Sequence, residues 1–348
     1  MRSNARRCHS AVLVICMLMM AACGGASAGG AKPASHAIGT LAATLRLGSV
    51  TQQTAAGAGG IWFLDASDAV ANEVDPSTNK VVATISLQIG ATNILATPEV
   101  NALWATRDDG TVTRTDLGTG KVVATIPVST AGVYALTATA NPPTLWVAAV
   151  HDHTVSRIDM STNKVAATIA VGSTPEDIEA QGDSVWVCNL KDDNGVQQID
   201  PQTNQVTTRV TLHYSNFGGI GCGSIRFAAN ALWVMTYEGT VRTTVLLRLD
   251  PTTYATVATI DLGTDYIGFN IGADANGVWV PDIDSWDLLR VDARTNRVLG
   301  KLPMKERPNR ATVTNGVVWV SNQYNNPDTF YQNAERTGDT LWRINPAP

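Results

Sequence analysis

Residues 145–171 read LWVAAVHDHTVSRIDMSTNKVAATIAV, and this stretch decides the fold. Its first run, from Leu145 to Val150, is apolar at successive positions, as expected of a strand whose two faces are both covered by neighbouring sheets. The polar turn His151-Asp152-His153 leads to a second strand ending at Asp159. After the turn Met160-Ser161-Thr162-Asn163-Lys164 the pattern changes to alternation. Val165, Ala167, Ile169 and Val171 then share one face and Lys164, Ala166, Thr168 and Ala170 the other, the period of a half-exposed outer strand. A weaker strand over residues 175–180 precedes the next apolar run and is expected to line a central channel.

The same unit recurs along the chain. Taking the Trp as its marker gives Trp62, Trp104, Trp146, Trp186, Trp233, Trp279 and Trp319, separated by 42, 42, 40, 47, 46 and 40 residues. Such periods fit a four-stranded propeller blade, so the chain is expected to be all-β and to form a seven-bladed β-propeller of antiparallel blades. The outer hairpin recurs as Asp75-Pro76-Ser77-Thr78-Asn79-Lys80, Asp200-Pro201-Gln202-Thr203-Asn204 and Asp292-Ala293-Arg294-Thr295-Asn296. Here Asp can accept backbone N–H bonds, Pro presets φ, and Asn tolerates the left-handed conformation of a tight turn. These acids recur once per blade, as a turn must, which argues against metal ligation.

Blade seven has no outer strand of its own after Leu341-Trp342-Arg343-Ile344-Asn345-Pro346. Residues 40–48, TLAATLRLG, resemble the outer strands at 82–87 and 257–263, so they are expected to pair with blade seven and close the ring. Closure removes the open sheet edge that would otherwise recruit other chains.

Upstream of the repeat, Arg2, Arg6 and Arg7 precede an apolar stretch over residues 11–22, too short to span a bilayer as a permanent helix. It reads as an export signal, residues 1–22. Met20-Ala21-Ala22-Cys23 resembles a bacterial lipobox, in which the Cys is lipidated; the alternative is ordinary cleavage near Ala26 or Ala28, with Cys23 discarded. Two or three acyl chains, at about 0.8 kcal/mol per buried methylene, would hold the protein at a membrane without spanning it. Residues 23–39 are mainly Gly, Ala and Ser and read as a flexible tether of about 20 Å r.m.s. span, leaving 40–348 for the propeller.

The whole chain has 25 Lys and Arg against 30 Asp and Glu, a net charge of −5. Removing residues 1–22 strips three Arg and no acid, giving 22 − 30 = −8. An acidic exported domain repels phosphate backbones and anionic headgroups, so nucleic acid is not an expected partner and the lipid anchor alone would hold it at a membrane. Of five Cys, Cys8 and Cys16 lie in the signal and Cys23 at its end, leaving Cys188 and Cys222 in an oxidising compartment. They fall in neighbouring blades near one rim, so they read as a disulfide, against two buried free thiols.

With these residues in view, the chain from about Thr40 onward is similar to the YVTN-type propeller repeats of bacterial and archaeal surface-associated proteins. The likeness rests on Trp-Val, a polar turn, Thr154-Val155-Ser156-Arg157-Ile158-Asp159 and Ser161-Thr162-Asn163-Lys164-Val165. It departs where Trp-Val-Ala, Trp-Val-Cys, Trp-Val-Met, Trp-Val-Pro and Trp-Val-Ser stand in place of Tyr-Val-Thr-Asn. The resemblance implies a seven-bladed envelope domain and brings no catalytic residues.

Propeller sites usually lie on the face formed by the loops between the second and third strands and the loops between blades. From Trp to the hairpin Asp, or to Asn345, the spacing is 13, 12, 13, 14, 17, 13 and 26 residues, so blades five and seven carry insertions there. Another insertion falls between blades four and five. Elaboration around 213–223 and 322–339 is where specificity is expected. The same rim gathers Asp65, Asp68, Asp108, Asp109, Asp152, Asp192, Asp193, Glu238, Asp282 and Asp284. Converging carboxylates would suit a divalent cation or a polyol, but solvated turn acids read the same way. Tyr214, Phe217, Tyr237, Tyr266, Trp286, Tyr324, Phe330 and Tyr331 also fall in or beside these loops, for a stacked sugar, a protein contact, or packing under the insertions.

His151 and His153 are the one local pair with metal-ligand chemistry; a third ligand from an adjacent blade, such as Asp108 or Asp192, would be needed. Beyond residue 22 only His36, His151, His153 and His213 occur, which does not suit propeller lyases of the streptogramin-opening type, and the blades lack the Trp-docking repeat of eight-bladed quinoproteins. Residues 23–348 carry no Gly-x-Ser-x-Gly, His-Glu-x-x-His or Cys-x-x-Cys motif. The expected function is therefore that of a lipid-anchored, extracytoplasmic binding or scaffolding module, monomeric and without a resident cofactor, engaging an envelope protein, glycan or small ligand. The alternative is a metal-assisted lyase or lactonase at the channel mouth.

Overall fold

The computed structural model describes residues 37–47, 51–57, 60–191, 195–212, 221–237, 244–263, 268–322 and 340–347, with the side chains of 51, 52 and 237 excepted. They belong to one compact unit, Ser35–Pro348. The export signal, Cys23 and nearly all of the tether lie outside the described residues.

Among the described residues the chain forms seven four-stranded antiparallel sheets. Strand β1 (Gly39–Arg46) comes first and is used last. Blade one is β2 (Thr51–Ala56), β3 (Ile61–Asp65), β4 (Val70–Asp75) and β5 (Lys80–Ser86). Blade two is β6 (Ala91–Thr97), β7 (Ala102–Arg107), β8 (Thr111–Asp116) and β9 (Val122–Pro127). Blade three is β10 (Ala135–Ala140), β11 (Pro143–Ala149), β12 (Thr154–Asp159) and β13 (Lys164–Ala170), and blade four is β14 (Pro175–Gln181), β15 (Ser184–Asn189), β16 (Val196–Asp200) and β17 (Gln205–Val210). Blade five is β18 (Gly221–Ala228), β19 (Ala231–Tyr237), β20 (Val245–Leu249) and β21 (Thr256–Asp261); blade six is β22 (Gly272–Asp274), β23 (Gly277–Asp282), β24 (Asp287–Asp292) and β25 (Arg297–Pro303). Blade seven supplies β26 (Pro308–Thr314), β27 (Val317–Asn322) and β28 (Thr340–Pro346), and β1 adds its outer strand.

Each innermost strand contacts the innermost strands of both neighbours, from β2 round to β26 and back to β2, so the ring is closed. Closure rests on the register Leu41↔Ile344, Thr44↔Trp342 and Leu45↔Leu341. The second strands are buried on both faces because each is sandwiched between neighbouring blades: Trp104, Trp146, Trp233, Trp279 and Trp319 expose none of their surface. The core is correspondingly a set of interblade layers. In one of them Trp146, Val155 and Ile169 of blade three pack on Ile178, Val185 and Ile199 of blade four. Replacing such a Trp by Ala costs about 3–5 kcal/mol.

The outer strands follow the expected alternation except where the hairpin enters them. In β13 Ile169 is buried and Ala167 half-buried, but Val165 is exposed. A register shift between Arg157 and Ile158 puts a bulge where the hairpin meets the strand, and the bulge turns Val165 outward. The hairpins have the predicted chemistry. Asp75, Asp159 and Asp200 each accept a backbone N–H from the residue two positions on, at 2.7–2.8 Å. Asn79, Asn163, Asn204 and Asn296 have φ of 55–58°, the left-handed region that Asn adopts readily.

Cys188 at the end of β15 and Cys222 at the start of β18 form a disulfide, Cα to Cα 5.1 Å, that staples blade four to blade five. Gly221 is required beside it: an added Cβ would lie 1.7 Å from the Leu190 carbonyl oxygen.

A second device joins the blades. Directly across from the marker Trp, the third strand carries Arg in five blades, in the pairs Trp104↔Arg114, Trp146↔Arg157, Trp233↔Arg248, Trp279↔Arg290 and Trp319↔Arg343. Four of these guanidinium groups lie over the Trp ring at 5.1–5.7 Å. Three then reach the hairpin of the next blade. Arg114 donates to the Met160 carbonyl and Asn163 Oδ1 (2.7 and 2.9 Å), Arg157 to the Pro201 carbonyl and Asn204 Oδ1 (2.9 and 3.0 Å), and Arg248 to the Ala293 carbonyl and Asn296 Oδ1 (2.8 and 3.0 Å). Arg290 instead donates to the Ile38 and Ala347 carbonyls, where the chain closes. The planar, permanently charged group thus ties a ring on one blade to a turn on the next. Blades one and four differ: Glu73 faces Trp62 and Gln198 faces Trp186.

Candidate functional site

Two neighbourhoods on the ring carry the candidate chemistry, the loop rim singled out in the sequence and the upper channel that it surrounds.

On the rim, the turn between the second and third strands is one repeated design. Ala69, Gly110, His153 and Trp286 occupy its left-handed position, with φ of 51–82°. Their carbonyls accept from the N–H of Leu87, Val128, Val171 and Met304 (2.7–3.0 Å), where the chain leaves the outer strand. The acids serve the same turn. Asp65 Oδ1 accepts from the Ser67 and Asp68 N–H groups (3.0 and 3.1 Å), and Asp282 Oδ1 from those of Asp284 and Ser285 (both 3.1 Å). Asp282 is fully buried, with Lys301 Nζ at 3.7 Å.

Asp109 accepts from the Thr111 N–H and hydroxyl (3.0 and 2.6 Å) and pairs with Arg107 at 2.5 Å. Against the desolvation that raises it, those hydrogen bonds and that charge hold its carboxyl below the usual range. The neighbouring Asp108 is exposed. Asp152 is held low chiefly by the Ser129 hydroxyl (2.6 Å), with help from Thr130, so it fastens its turn to the preceding interblade loop. His153 Nδ1 accepts from the Thr174 N–H (3.2 Å), while His151 is exposed. Among the described residues no three His, Cys, Asp or Glu side chains converge on a position that could hold a metal ion. Asp192, Asp193, Tyr214 and Tyr324 lie outside the described residues, as does the side chain of Tyr237.

Four large apolar or aromatic side chains on this rim are exposed. Ile89, Phe269, Tyr134 and Trp286 expose 83, 47, 42 and 38 % of their surface. All four lie in loops between blades or in the turn that shares their rim.

Beneath them the channel wall is charged on one side. Blade four contributes Glu176, Asp177 and Glu179 from β14, blade five Arg226 from β18, and blade seven Arg310 from β26. Asp177 Oδ2 accepts from Arg226 Nη1 (2.7 Å), the Ser224 hydroxyl (2.9 Å) and the Ile225 N–H (3.1 Å). Glu179 lies 3.4 Å from Arg226 Nη1 and accepts from the Phe227 N–H at 3.1 Å. Burial nonetheless pushes Glu179 up to about 7, the Arg226 charge only partly opposing it, and burial raises Glu176 as well.

Arg310 is differently placed. Its guanidinium lies over Phe269 at 5.3 Å, and its buried Nε has no hydrogen-bond partner. Among the described residues it forms no salt bridge. With the Asn270 amide turned so that its nitrogen donates to the Phe269 carbonyl, its oxygen accepts from Arg310 Nη1 (3.0 Å) and Arg226 Nη2 (3.3 Å). Burial first, and then the neighbouring Arg226 charge, bring Arg310 down to about 10 against the pull of Asp177 and Glu176. A cation that is buried, crowded by a like charge and short of acceptors favours an incoming anionic or carbonyl group. No individual residue in this group stood out in the sequence. The available signal was charge on the weak innermost strands, where a channel lining needs only small polar residues.

No family model matches the chain, and no curated protein matches it in sequence. Among solved structures it is similar to Kuenenia stuttgartiensis hydrazine synthase, with a TM-score of 0.68 and 13 % identity, over 84 % of this chain and 96 % of that one. At that identity the likeness concerns the propeller fold alone.

Proposed function

We propose that this propeller is a binding module of the bacterial cell envelope, exported and lipid-anchored at Cys23, that takes its ligand at the channel mouth. The observation that carries the reading is Arg310, without a salt bridge among the described residues and stacked beneath the exposed Phe269. A partner bearing a carboxylate or carbonyl beside an apolar or ring face would satisfy the guanidinium and cover the exposed Phe269. A protein loop, a glycan or a small ligand can carry that combination. The Cys188–Cys222 disulfide supports an oxidising compartment, and the repeat pattern supports kinship with the YVTN-type surface proteins.

Pull-down and glycan-array binding with purified domain, Phe269→Ala and Arg310→Met test this reading. Both variants are expected to lose the ligand that the wild type retains; retention by both variants would refute the mouth as the contact surface. Metabolic labelling with a palmitate analogue tests the anchor, and label retained by Cys23→Ala would disprove it.

A further inference from the structure

The joint between blades four and five lacks the arginine clasp and holds a cavity of about 380 Å³ in its place. Both partners of the clasp are altered. Gln198 stands across from Trp186 where Arg faces the Trp of five other blades. Tyr254 takes the left-handed hairpin position that Asn fills in blades three, four and six, with φ of 60°. The Gln198 amide is too short to reach the hairpin carbonyl and is held back by its own contacts. Its nitrogen donates to the Ser184 hydroxyl (2.7 Å), and its oxygen accepts from Thr208 (2.9 Å) and from the Tyr254 hydroxyl (3.2 Å).

What remains at the joint is a receptor for the missing group. Trp186 packs with Phe227 and Tyr254 at ring-centroid distances of 5.5 and 5.1 Å, and all three rings wall the cavity. The wall also includes Pro251, whose counterparts Met160, Pro201 and Ala293 give their carbonyls to an arginine at the other joints. Among the described residues no charged side chain lines it. Its volume far exceeds the roughly 30 Å³ of one water, so it can admit a molecule. The blade turns and hairpins that form it lie on the face opposite the channel mouth discussed above, so it is independent of the proposed ligand site.

We propose that this cavity binds a small organic cation, with a guanidinium or quaternary ammonium head, against Trp186 in place of the arginine that other joints supply from their own chain. An aromatic ring attracts a cation through its quadrupole, and the net charge of −5 favours the approach of one.

The test is a titration at constant ionic strength, read from the Trp186 indole N–H signal in a ¹H–¹⁵N spectrum and assigned with Trp186→Phe. Methylguanidinium and tetramethylammonium are expected to shift that signal saturably at millimolar concentration. Urea, the uncharged isostere of guanidinium, is expected to bind at least about tenfold more weakly, the equivalent of about 1.4 kcal/mol. The Gln198→Arg/Tyr254→Asn variant rebuilds the clasp of the other joints; it should remain folded and lose the cation response. Equal affinity for urea, the absence of a saturable shift, or an undiminished response in the variant would overturn the proposal.

Discussion

The hairpin rim and the upper channel are both dense in charge, and they use it in opposite ways. At the hairpins each Asp accepts N–H or hydroxyl donors from its own turn, and each clasping Arg reaches a ring, a carbonyl and an amide oxygen. Hydrogen bonds hold Asp75, Asp159 and Asp200 below the usual carboxyl range. In the channel, burial raises Glu176 and Glu179 and lowers Arg310. Charge that recurs from blade to blade meets partners in its own turn or in the next blade and ties the ring together. In the channel Glu176, Glu179 and Arg310 are pushed toward neutrality while Asp177 and Glu179 hold Arg226 charged, the kind of perturbation that clusters at functional sites.

The largest way to break the comparison is to remove the ring itself. Deleting residues 40–47 removes β1 and exposes the edge of β28. Cooperative unfolding should be lost, with aggregation by edge pairing. An unchanged melting profile would show that closure does not support the hairpin contacts at all. Next in size is the Cys188–Cys222 staple, which closes a sequence separation of 34 residues. Replacing both Cys by Ser should lower stability by about 3–4 kcal/mol in the chain-entropy picture. That effect should appear in denaturant unfolding without altering ligand capture at the mouth.

A smaller, pH-dependent effect sharpens the contrast. The hairpin acids have depressed pKa values, so their stabilisation is present above the unfolded Asp value of about 3.9 and is lost as pH falls through their folded values. Glu179 behaves oppositely. Its folded value of about 7 lies above the unfolded one, so its contribution to stability declines as pH rises from about 4.5 to 7. Glu179→Gln should therefore match the wild type near pH 4 and gain on it progressively up to pH 7. A gap that is constant with pH would mean that Glu179 stays ionised in the fold.

Much of this architecture was legible because propeller blades are local. Trp146, the 151–153 turn and the 160–164 hairpin lie within one short stretch, so three strands could be read without knowing the ring. The closing strand was legible because residues 40–48 repeat the pattern of the other outer strands. The Trp–Arg clasp was less visible, since its partners meet across strands and then across blades; the recurring Arg114, Arg157, Arg248, Arg290 and Arg343 were its trace. The channel cluster was illegible for a stronger reason. Asp177, Arg226 and Arg310 are distant in sequence and sit on weakly patterned strands, and only ring closure brings them together. The rim acids drew attention for their number, yet Asp65, Asp109, Asp152 and Asp282 turn out to have partners in their own or adjoining loops.

The division between satisfied and unsatisfied charge is tested most directly by thermal unfolding of Arg157→Met beside Arg310→Met at pH 7. Arg157→Met removes the contact with Trp146 and strands the Pro201 carbonyl and Asn204 Oδ1, a loss of about 2 kcal/mol and a Tm lower by roughly 4–8 °C. Arg310→Met should leave Tm unchanged or raise it, because it removes a crowded cation while keeping its bulk over Phe269. A fall for Arg310→Met as large as that for Arg157→Met would show that the channel arginine is a structural clasp like the others, and would contradict the account.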